Sequence, residues 1–183
     1  MRPIENERHD GRRLDIPQRE GPWDRPGTLY FYGGREKDLS SFAPTPGLWL
    51  PESWFGHPRP SPLVEVPTNE HWFHASKGTN REDFFWVLAA PTPAQAKRRG
   101  RKIALRPDWE EVKVSVMRFA NRGKFSLPRY RETLPATGDR VLVEDSPTDY
   151  AWGGRDGSGG YGGMNLLGIA LMEVRAELAH AAA

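Results

Sequence analysis

Cysteine and long apolar segments are both absent from this sequence. Without cysteine, a chain forms no disulfide bonds, thiolate metal sites or iron–sulfur clusters, and it has no thiol nucleophile. No apolar run approaches the roughly 20 residues that a membrane-spanning helix needs, and the N-terminus shows no apolar secretory signal. We therefore expect a cytoplasmic protein that does not associate with a membrane.

Net charge is also small. The 183 residues include 26 Lys and Arg against 24 Asp and Glu, a formal net charge of +2. A charge of this size does not predict nucleic-acid binding, so only a local cluster of basic residues would do so. The chain is instead rich in Gly, Pro and aromatic residues, with 19 Gly, 17 Pro, 7 Trp, 5 Tyr and 8 Phe. This composition predicts one loop-rich domain with many aromatic side chains.

Composition divides the chain into an arm and a domain. Residues 1–27 are polar and carry equal numbers of basic and acidic residues, so we predict a disordered arm, either a solvated tail or a partner-binding segment. The predicted domain covers residues 28–183. Within it, residues 44–67 hold seven prolines as well as aromatic side chains. This pattern predicts a loop without regular structure, which either covers a binding site or simply packs on the core.

Capping signals and apolar periodicity predict a mainly α fold with a few short strands, arranged as a single domain. Thr68 or Asn69 suits the N-cap of one helix, and Thr92 before Pro93 marks the start of another. A longer amphipathic helix is expected to stop at Gly123. The predicted helices cover about 68–77, 81–90, 93–100, 107–123, 128–134 and 164–181, and the predicted strands cover 29–32 and 141–143.

Metal binding has one candidate pair of ligands. His71 and His74 are three residues apart on a predicted helix, a spacing at which two imidazoles can share a metal. The order E-H-x-x-H differs from the H-E-x-x-H of zinc proteases, and no third ligand is evident. We therefore predict neither a metal site nor a cofactor.

Two further patterns are weak signals of anion binding. The glycine-rich segment 153–163 resembles a phosphate cradle but lacks the lysine and the spacing of a nucleotide-binding loop. Residues 97–102 form a dense basic cluster, which either grips phosphate groups or is a solvated helix face. No G-x-S-x-G motif marks a serine nucleophile.

Two carboxylates are candidates for acid–base chemistry. Glu70 lies near a predicted helix start, on the same face as His74 and Lys77. Asp149 lies in an aromatic, glycine-rich loop. Two acids from distant segments that meet in an aromatic pocket suit glycoside cleavage, in which one handles protons and the other faces the positive charge that develops on the sugar. Capping or turn formation is the alternative role for each.

A series of segments in fixed order resembles the NADAR (YbiA-like) family and covers about residues 30–178. The segments are FYGG at 31–34, LSSFAP at 39–44, TNEHWFHASK at 68–77, AKRRGR at 96–101, LRPDWEEVKVSVM at 105–117, RGKF at 122–125, LPATGD at 134–139, LVEDSPTDYAWGG at 142–154 and NLLGIALMEVRAEL at 165–178.

The resemblance implies a single YbiA-like domain that hydrolyses an N-glycosidic bond between ribose C1′ and an amine, without a cofactor. The family acts on ADP-ribose attached to guanine and on phosphoribosylamino-pyrimidine intermediates of riboflavin synthesis. We expect the first substrate, in modified nucleic acid or as a nucleotide-like small molecule, with a functional pairing to a DNA ADP-ribosyltransferase. The riboflavin intermediates are the alternative, and a non-catalytic ADP-ribose-binding or NAD-binding module is the alternative of another class.

By motif position, the resemblance implies three catalytic residues. Glu70 would transfer protons, Asp149 would stabilise charge on C1′ or activate water, and Lys77 would bind the substrate or form an imine with it. Trp109 and Trp152 would stack on the base or exclude water. The other substrate-binding residues that we predict are Phe31, Tyr32, Ser41, Phe42, Arg101, Gly153 and Asn165.

Some positions depart from the family pattern. Thr148 and Ala151 stand where Asn and Tyr are frequent, and His74 stands where Gln is common. The segment 160–168 is neutral, whereas the family often carries lysines and an arginine there. These changes bear on the choice of substrate more than on the bond that is cleaved.

Overall fold

A computed structural model of the protein describes residues 22–56 and 60–181. Within these ranges the fold consists of five α-helices and two two-stranded sheets, which confirms the predicted mainly α class. None of the described helices combines the length and the apolar character needed to span a bilayer. The strands are β1 (Leu29–Phe31), β2 (Trp49–Pro51), β3 (Leu63–Glu65) and β4 (Leu142–Glu144), and the helices are α1 (Asn69–Ala75), α2 (Arg81–Leu88), α3 (Pro93–Gly100), α4 (Trp109–Ser126) and α5 (Leu166–Ala181).

Helix α1 is the central element. It contacts α2, α3 and α4, and all seven of its residues are buried. Phe73 belongs to one apolar cluster, which includes residues of α4 and α5, whereas Trp72 and Ala75 belong to a second cluster beside α2. Because apolar clusters lie on two sides of this helix, its polar side chains are buried with it.

The helix starts follow the capping chemistry of the sequence. The Thr68 side chain accepts a hydrogen bond from the His71 N–H, and the Thr92 side chain accepts one from the Gln95 N–H. The expected stop of α4 at Gly123 is wrong, since the helix continues to Ser126. A side chain at position 123 would place its Cβ 2.9 Å from methyl groups of Leu48 and Leu50, so this glycine lets α4 pack closely against the segment around β2.

Two predictions of local structure are wrong. Residues 44–67 contain the antiparallel hairpin β2–β3, in which Leu50 pairs with Val64. The prolines tolerate this pairing because Pro51 ends β2 and Pro62 directly precedes β3, where a missing N–H costs little. Residues 128–134 form turns around the fully buried Tyr130 rather than a helix, and a short 3₁₀ segment follows at Pro135–Thr137.

The parallel pair β1–β4 orients the site. Leu29 pairs with Leu142 and Phe31 with Glu144, and β4 packs on α5. The loop that follows β4 therefore begins beside the end of β1, next to the buried α1. Residues 1–21 of the predicted arm lie outside the described residues, so its disorder stays a prediction. Near the end of the predicted arm, within the described residues, the Trp23 indole donates to the Gly163 carbonyl at 2.6 Å.

Candidate active site

Helices α1, α3, α4 and α5, strand β4 and two loops line a cavity of about 170 Å³. It combines carboxylates, cations and aromatic rings that lie far apart in the sequence. Its walls are formed by Ser41, Phe42, Glu70, Phe73, His74, Lys77, Lys97, Arg101, Met117, Glu144, Asp149, Trp152 and Leu167.

Glu70 is a buried carboxylate with two hydrogen-bond donors. The Ser41 hydroxyl donates to its Oε2 at 2.7 Å, and His74 Nε2 lies 2.9 Å from its Oε1. Burial alone would raise the pKa of Glu70, but the hydrogen bonds from His74 and Ser41, together with nearby positive charge that includes Lys97, outweigh burial and hold this pKa below its ordinary value. Glu70 is therefore ionised near neutral pH, which suits it to stabilising positive charge rather than to donating a proton.

His74 carries the proton that Glu70 accepts. Burial lowers the pKa of the His74 imidazole, although Glu70 acts in the opposite direction. Its Nδ1 is buried and has no partner among the described residues. A neutral ring with the proton on Nε2 satisfies both observations, because a bare Nδ1 costs less to bury than an unpaired N–H⁺.

His71 does not join this site. Its Nδ1 lies 2.8 Å from the Thr68 hydroxyl and its Nε2 lies 3.0 Å from the Ala90 carbonyl. His71 and His74 thus use their ring nitrogens on different partners and do not converge on one point. Within residues 22–56 and 60–181, no group of three or more His, Asp or Glu side chains is arranged to hold a metal ion.

Lys77 lies just beyond the end of α1 with its Nζ above two aromatic rings. The distances to the ring centroids are 5.4 Å for Phe73 and 5.3 Å for Trp109. Burial lowers the pKa of Lys77 to about 8, so a useful fraction of its amine is neutral at physiological pH. Trp109 itself is buried and packs on Phe73, so it supports the cavity wall from behind instead of facing the cavity.

Asp149 enters the cavity from the loop after β4. Its Oδ2 lies 3.2 Å from Lys97 Nζ on α3, and its Oδ1 accepts the Trp152 N–H at 3.1 Å. The turn is closed by the Gly153 N–H, which donates to the Asp149 carbonyl at 2.7 Å. A Cβ on Gly153 would lie 2.6 Å from that carbonyl oxygen, so this position requires glycine.

Glu144 also faces the cavity, although no sequence pattern singles it out. It is the last residue of β4, and its carboxyl group makes no hydrogen bond or ion pair to any described residue. Burial raises its pKa to about 8, and the charges of Asp149 and Glu70 act in the same direction. An acidic residue directly after the apolar run 141–143 is the signal that points to it in retrospect.

The predicted site residues separate into those that line the cavity and those that do not. Glu70, Lys77, Asp149, Ser41, Phe42, Arg101 and Trp152 line it. Phe31 is in the core and Tyr32 is exposed outside it. The buried Asn165 holds the backbone, because its side chain accepts the Glu144 N–H and donates to the Leu142 carbonyl.

Two other candidate features lie outside the cavity. Asp156 in the glycine-rich loop accepts the backbone N–H groups of Ser158 and Gly160, so these N–H groups are used within the loop. None of the described residues of 44–67 lines the cavity. This segment instead contributes Leu48 and Leu50 to the second apolar cluster, which favours packing over a covering role.

Comparisons with known proteins identify related domains. The NADAR domain model matches residues 30–179. An N-glycosidase of Nostoc punctiforme is 41% identical over 159 residues, which cover 82% of this chain and 92% of that protein. N-glycosidase YbiA of Escherichia coli is 41% identical over 117 residues, 62% of this chain and 71% of that protein. The NMR structure of E. coli YbiA matches with a TM-score of 0.65 and 32% identity, covering 84% of this chain and 86% of that structure.

One plant relative is named for riboflavin biosynthesis. The chloroplastic riboflavin biosynthesis protein PYRR of Zea mays is 37% identical over 126 residues. These residues make up 61% of this chain and 20% of that longer protein.

Proposed function

The chain belongs to the NADAR family, and from this premise we propose that it removes ADP-ribose from guanine bases by hydrolysing the bond between ribose C1′ and the base amine. In its general class it is an N-glycosidase, as its relatives from Nostoc punctiforme and E. coli are named. The observation that carries the proposal is the ionised Glu70 in one buried cavity with Lys77 and Asp149.

Glu70 stabilises the charge of the reaction. As the bond to the amine breaks, positive charge builds on C1′ and the ring oxygen. An ionised carboxylate in a site that excludes water stabilises such charge strongly, because little solvent screens it and its orientation is already fixed. Ser41 and His74 fix Glu70 from two sides, so no reorganisation is needed when the charge develops.

Lys77 supplies the nucleophile. Its neutral amine attacks C1′, the bond from C1′ to the base nitrogen breaks, and the electron pair leaves with that nitrogen. The ribose ring opens to give an imine between C1′ and Lys77. Water then hydrolyses the imine, which releases ADP-ribose and restores the free amine. The lowered pKa of Lys77 supports this role over that of a permanently charged phosphate ligand.

The remaining side chains of the cavity bind the substrate. Lys97 and Arg101 bring two cationic groups from the α3 side, which suits a diphosphate. Asp149 accepts a proton from the water that hydrolyses the imine. Phe42 and Trp152 present aromatic surface to the base. The proposal also pairs the protein with a DNA ADP-ribosyltransferase, whose modification it would reverse.

A second candidate substrate is a phosphoribosylamino-pyrimidine. The 37% identical relative from Zea mays is named as a riboflavin biosynthesis protein, and the neutral segment 160–168 offers no lysine or arginine to a nucleic-acid backbone. The bond cleaved would be the same, so the assignments of Glu70 and Lys77 would not change.

Parallel assays of the two substrates decide between them. The protein is incubated with an oligonucleotide that carries ADP-ribose on one guanine and, separately, with the phosphoribosylamino-pyrimidine, and kcat/KM is measured by mass spectrometry. We expect the larger kcat/KM for the oligonucleotide. A larger value for the pyrimidine would favour the second candidate. Tight ADP-ribose binding without cleavage of either substrate would instead identify a non-catalytic binding module.

A further inference from the structure

Three carboxyl groups from the described residues face the cavity, and their surroundings differ. Glu70 receives hydrogen bonds from Ser41 and His74. Asp149 has Lys97 Nζ at 3.2 Å. Glu144, by contrast, has no hydrogen-bond or ion-pair partner for its carboxyl group within the described part of the chain. The two partnered acids can be charged inside the protein, whereas the carboxyl group of Glu144 has only the more distant charge of Lys97 to offset a negative charge.

Electrostatic interactions among the three carboxyl groups favour a different protonation state for Glu144 than for Glu70 and Asp149. Each negative charge in the cavity makes a further one less favourable, so the carboxyl group with the fewest partners is the one that retains its proton. From α1, Glu70 and Lys77 face this space, with His74 neutral beside them. Lys97 and Arg101 face it from α3, and Asp149 faces it from the loop after β4. The two negative charges oppose ionisation of Glu144, and Lys97 only partly offsets them.

The backbone holds Glu144 in place. Its residue pairs with Phe31 across the β1–β4 ladder, its N–H donates to Asn165 at 3.2 Å, and its carbonyl accepts the Gly154 N–H at 2.8 Å. Met117 from α4 and Leu167 from α5 complete the apolar part of the wall. Burial in these surroundings raises the pKa of Glu144 to about 8, so the acid is mostly protonated at neutral pH.

We propose that Glu144 is the general acid that protonates the departing amine. The inference rests on the proposed N-glycosidase function and adds a catalytic residue to it. The bond from C1′ to the base nitrogen breaks, its electron pair stays on nitrogen, and the Glu144 carboxyl proton moves to that nitrogen. Glu144 becomes a carboxylate. Hydrolysis of the protonated imine releases one net proton, which Asp149 accepts from the attacking water and which then returns to Glu144. The step needs no other reactant.

Carboxyl NMR tests the protonation state without any substrate. Protein with 13C-labelled glutamate side chains is titrated, and the Glu144 signal is assigned by its loss in Glu144→Gln. We expect a midpoint near pH 8. A midpoint near the ordinary value of 4.5 would overturn the proposal, since Glu144 would then be ionised at neutral pH.

Kinetics tests the catalytic role. Glu144→Gln keeps the shape of the protonated acid but cannot give up a proton. We expect kcat to fall about 100-fold, KM to change little, and the decrease of wild-type kcat above about pH 8 to disappear. The matched control is Glu132→Gln, at an exposed position outside the cavity whose carboxylate pairs with Arg131, and it should retain the wild-type profile.

The rising and falling parts of the kcat–pH profile distinguish the role of Glu144 from that of Lys77. Lys77 must lose its proton, so it shapes the limb in which kcat rises with pH, whereas Glu144 must keep its proton and shapes the falling limb. A falling limb that persists in Glu144→Gln would overturn the acid role. If the wild-type protein cleaves neither substrate, the proposed function fails and the acid role with it, whereas the NMR midpoint still shows whether Glu144 holds a proton.

Discussion

Glu70 Oε1 and His74 Nε2, one helical turn apart on α1, lie 2.9 Å from each other, and both side chains are buried. The neutral imidazole donates and the carboxylate accepts, so the pair holds one negative charge inside the protein. Ser41 supplies the second donor. This arrangement gives the cavity a carboxylate held by two hydrogen bonds, with the cationic groups of Lys77, Lys97 and Arg101 along the same cavity wall.

Replacing the fixed anion tests its role in catalysis. Glu70→Gln keeps the size of the side chain and removes its charge. We expect kcat to fall by roughly 100-fold or more, because the stabilisation acts on charge that develops only in the transition state. The measurement is kcat/KM on the better of the two substrates, together with a thermal melt to verify folding. Near-normal turnover in a folded variant would remove Glu70 from the mechanism.

The donor at position 74 matters more than the imidazole itself. A glutamine there can also donate to Glu70, so His74→Gln should retain most of the activity. His74→Leu removes the donor and leaves the carboxylate underpaired, which costs about 1–3 kcal/mol for a buried polar group. We expect Leu to reduce kcat about tenfold or more. Equal losses in the two variants would contradict this explanation.

An imine at Lys77 can be trapped. Borohydride reduction during turnover should attach the ribosyl fragment to Lys77, and peptide mass spectrometry should locate it there. Lys77→Arg keeps the positive charge, has no neutral amine near pH 8, and should give neither adduct nor turnover. Full activity in Lys77→Arg would show that this residue serves only as a cation.

The cations from α3 should act on binding. Arg101→Ala removes an exposed charge at the edge of the cavity, so KM for an ADP-ribosylated substrate should rise about tenfold while kcat changes little. A substrate with an unphosphorylated ribose should lose much less from the same change. Equal effects on both substrates would mean that Arg101 does not contact phosphate. Arg131→Ala, which changes an exposed arginine on the loop 128–134, is the control.

Lys124 makes stability depend on pH. Its Nζ is buried and donates to the Ser40 carbonyl at 2.8 Å, and burial lowers its pKa from 10.5 to about 7. Between these values the unfolded chain binds more protons than the folded protein, so the free energy of unfolding should increase as pH rises.

Lys124→Met should remove this contribution, which is at most about 5 kcal/mol for a shift of this size. Urea denaturation of both proteins at pH 7 and 9.5 measures it. Lys77 also makes the free energy of unfolding increase with pH, but it does so in both proteins. Its contribution therefore cancels when the pH dependence of the variant is subtracted from that of the wild type. If the free energy of unfolding changed equally with pH in both proteins, Lys124 would not be buried as a neutral amine.

Local chemistry made most of the helices predictable. Thr68 and Thr92 act as the N-caps that their side chains suit, and the long helix begins at Trp109, within two residues of the expected start. Local chemistry did not reveal the hairpin in 44–67, because its strands are three residues long and their pairing depends on contacts with α4 and α1. The end of α4 was misplaced because Gly123 serves close packing on Leu48 and Leu50 rather than termination. The helix ends instead at Ser126, followed by an extended Leu127 directly before Pro128.

The site was predictable only in part for the same reason. Glu70, Lys77 and Asp149 line one cavity, as do Ser41, Phe42, Arg101 and Trp152. The charge state of Glu70 depends in part on Ser41, a residue 29 positions away. The sequence of the helix alone therefore did not show whether the pKa of Glu70 is raised or lowered. Glu144 needed the β1–β4 pairing to place it, since a strand of three residues does not show which side chain faces a cavity.

A crystal structure of Glu70→Gln with ADP-ribosylated guanosine bound tests the central claim most directly. We predict that ribose C1′ lies beside residue 70 and within reach of Lys77, with the diphosphate toward Lys97 and Arg101. A ribose bound outside this cavity, or one whose C1′ points away from residue 70 and Lys77, would contradict the account.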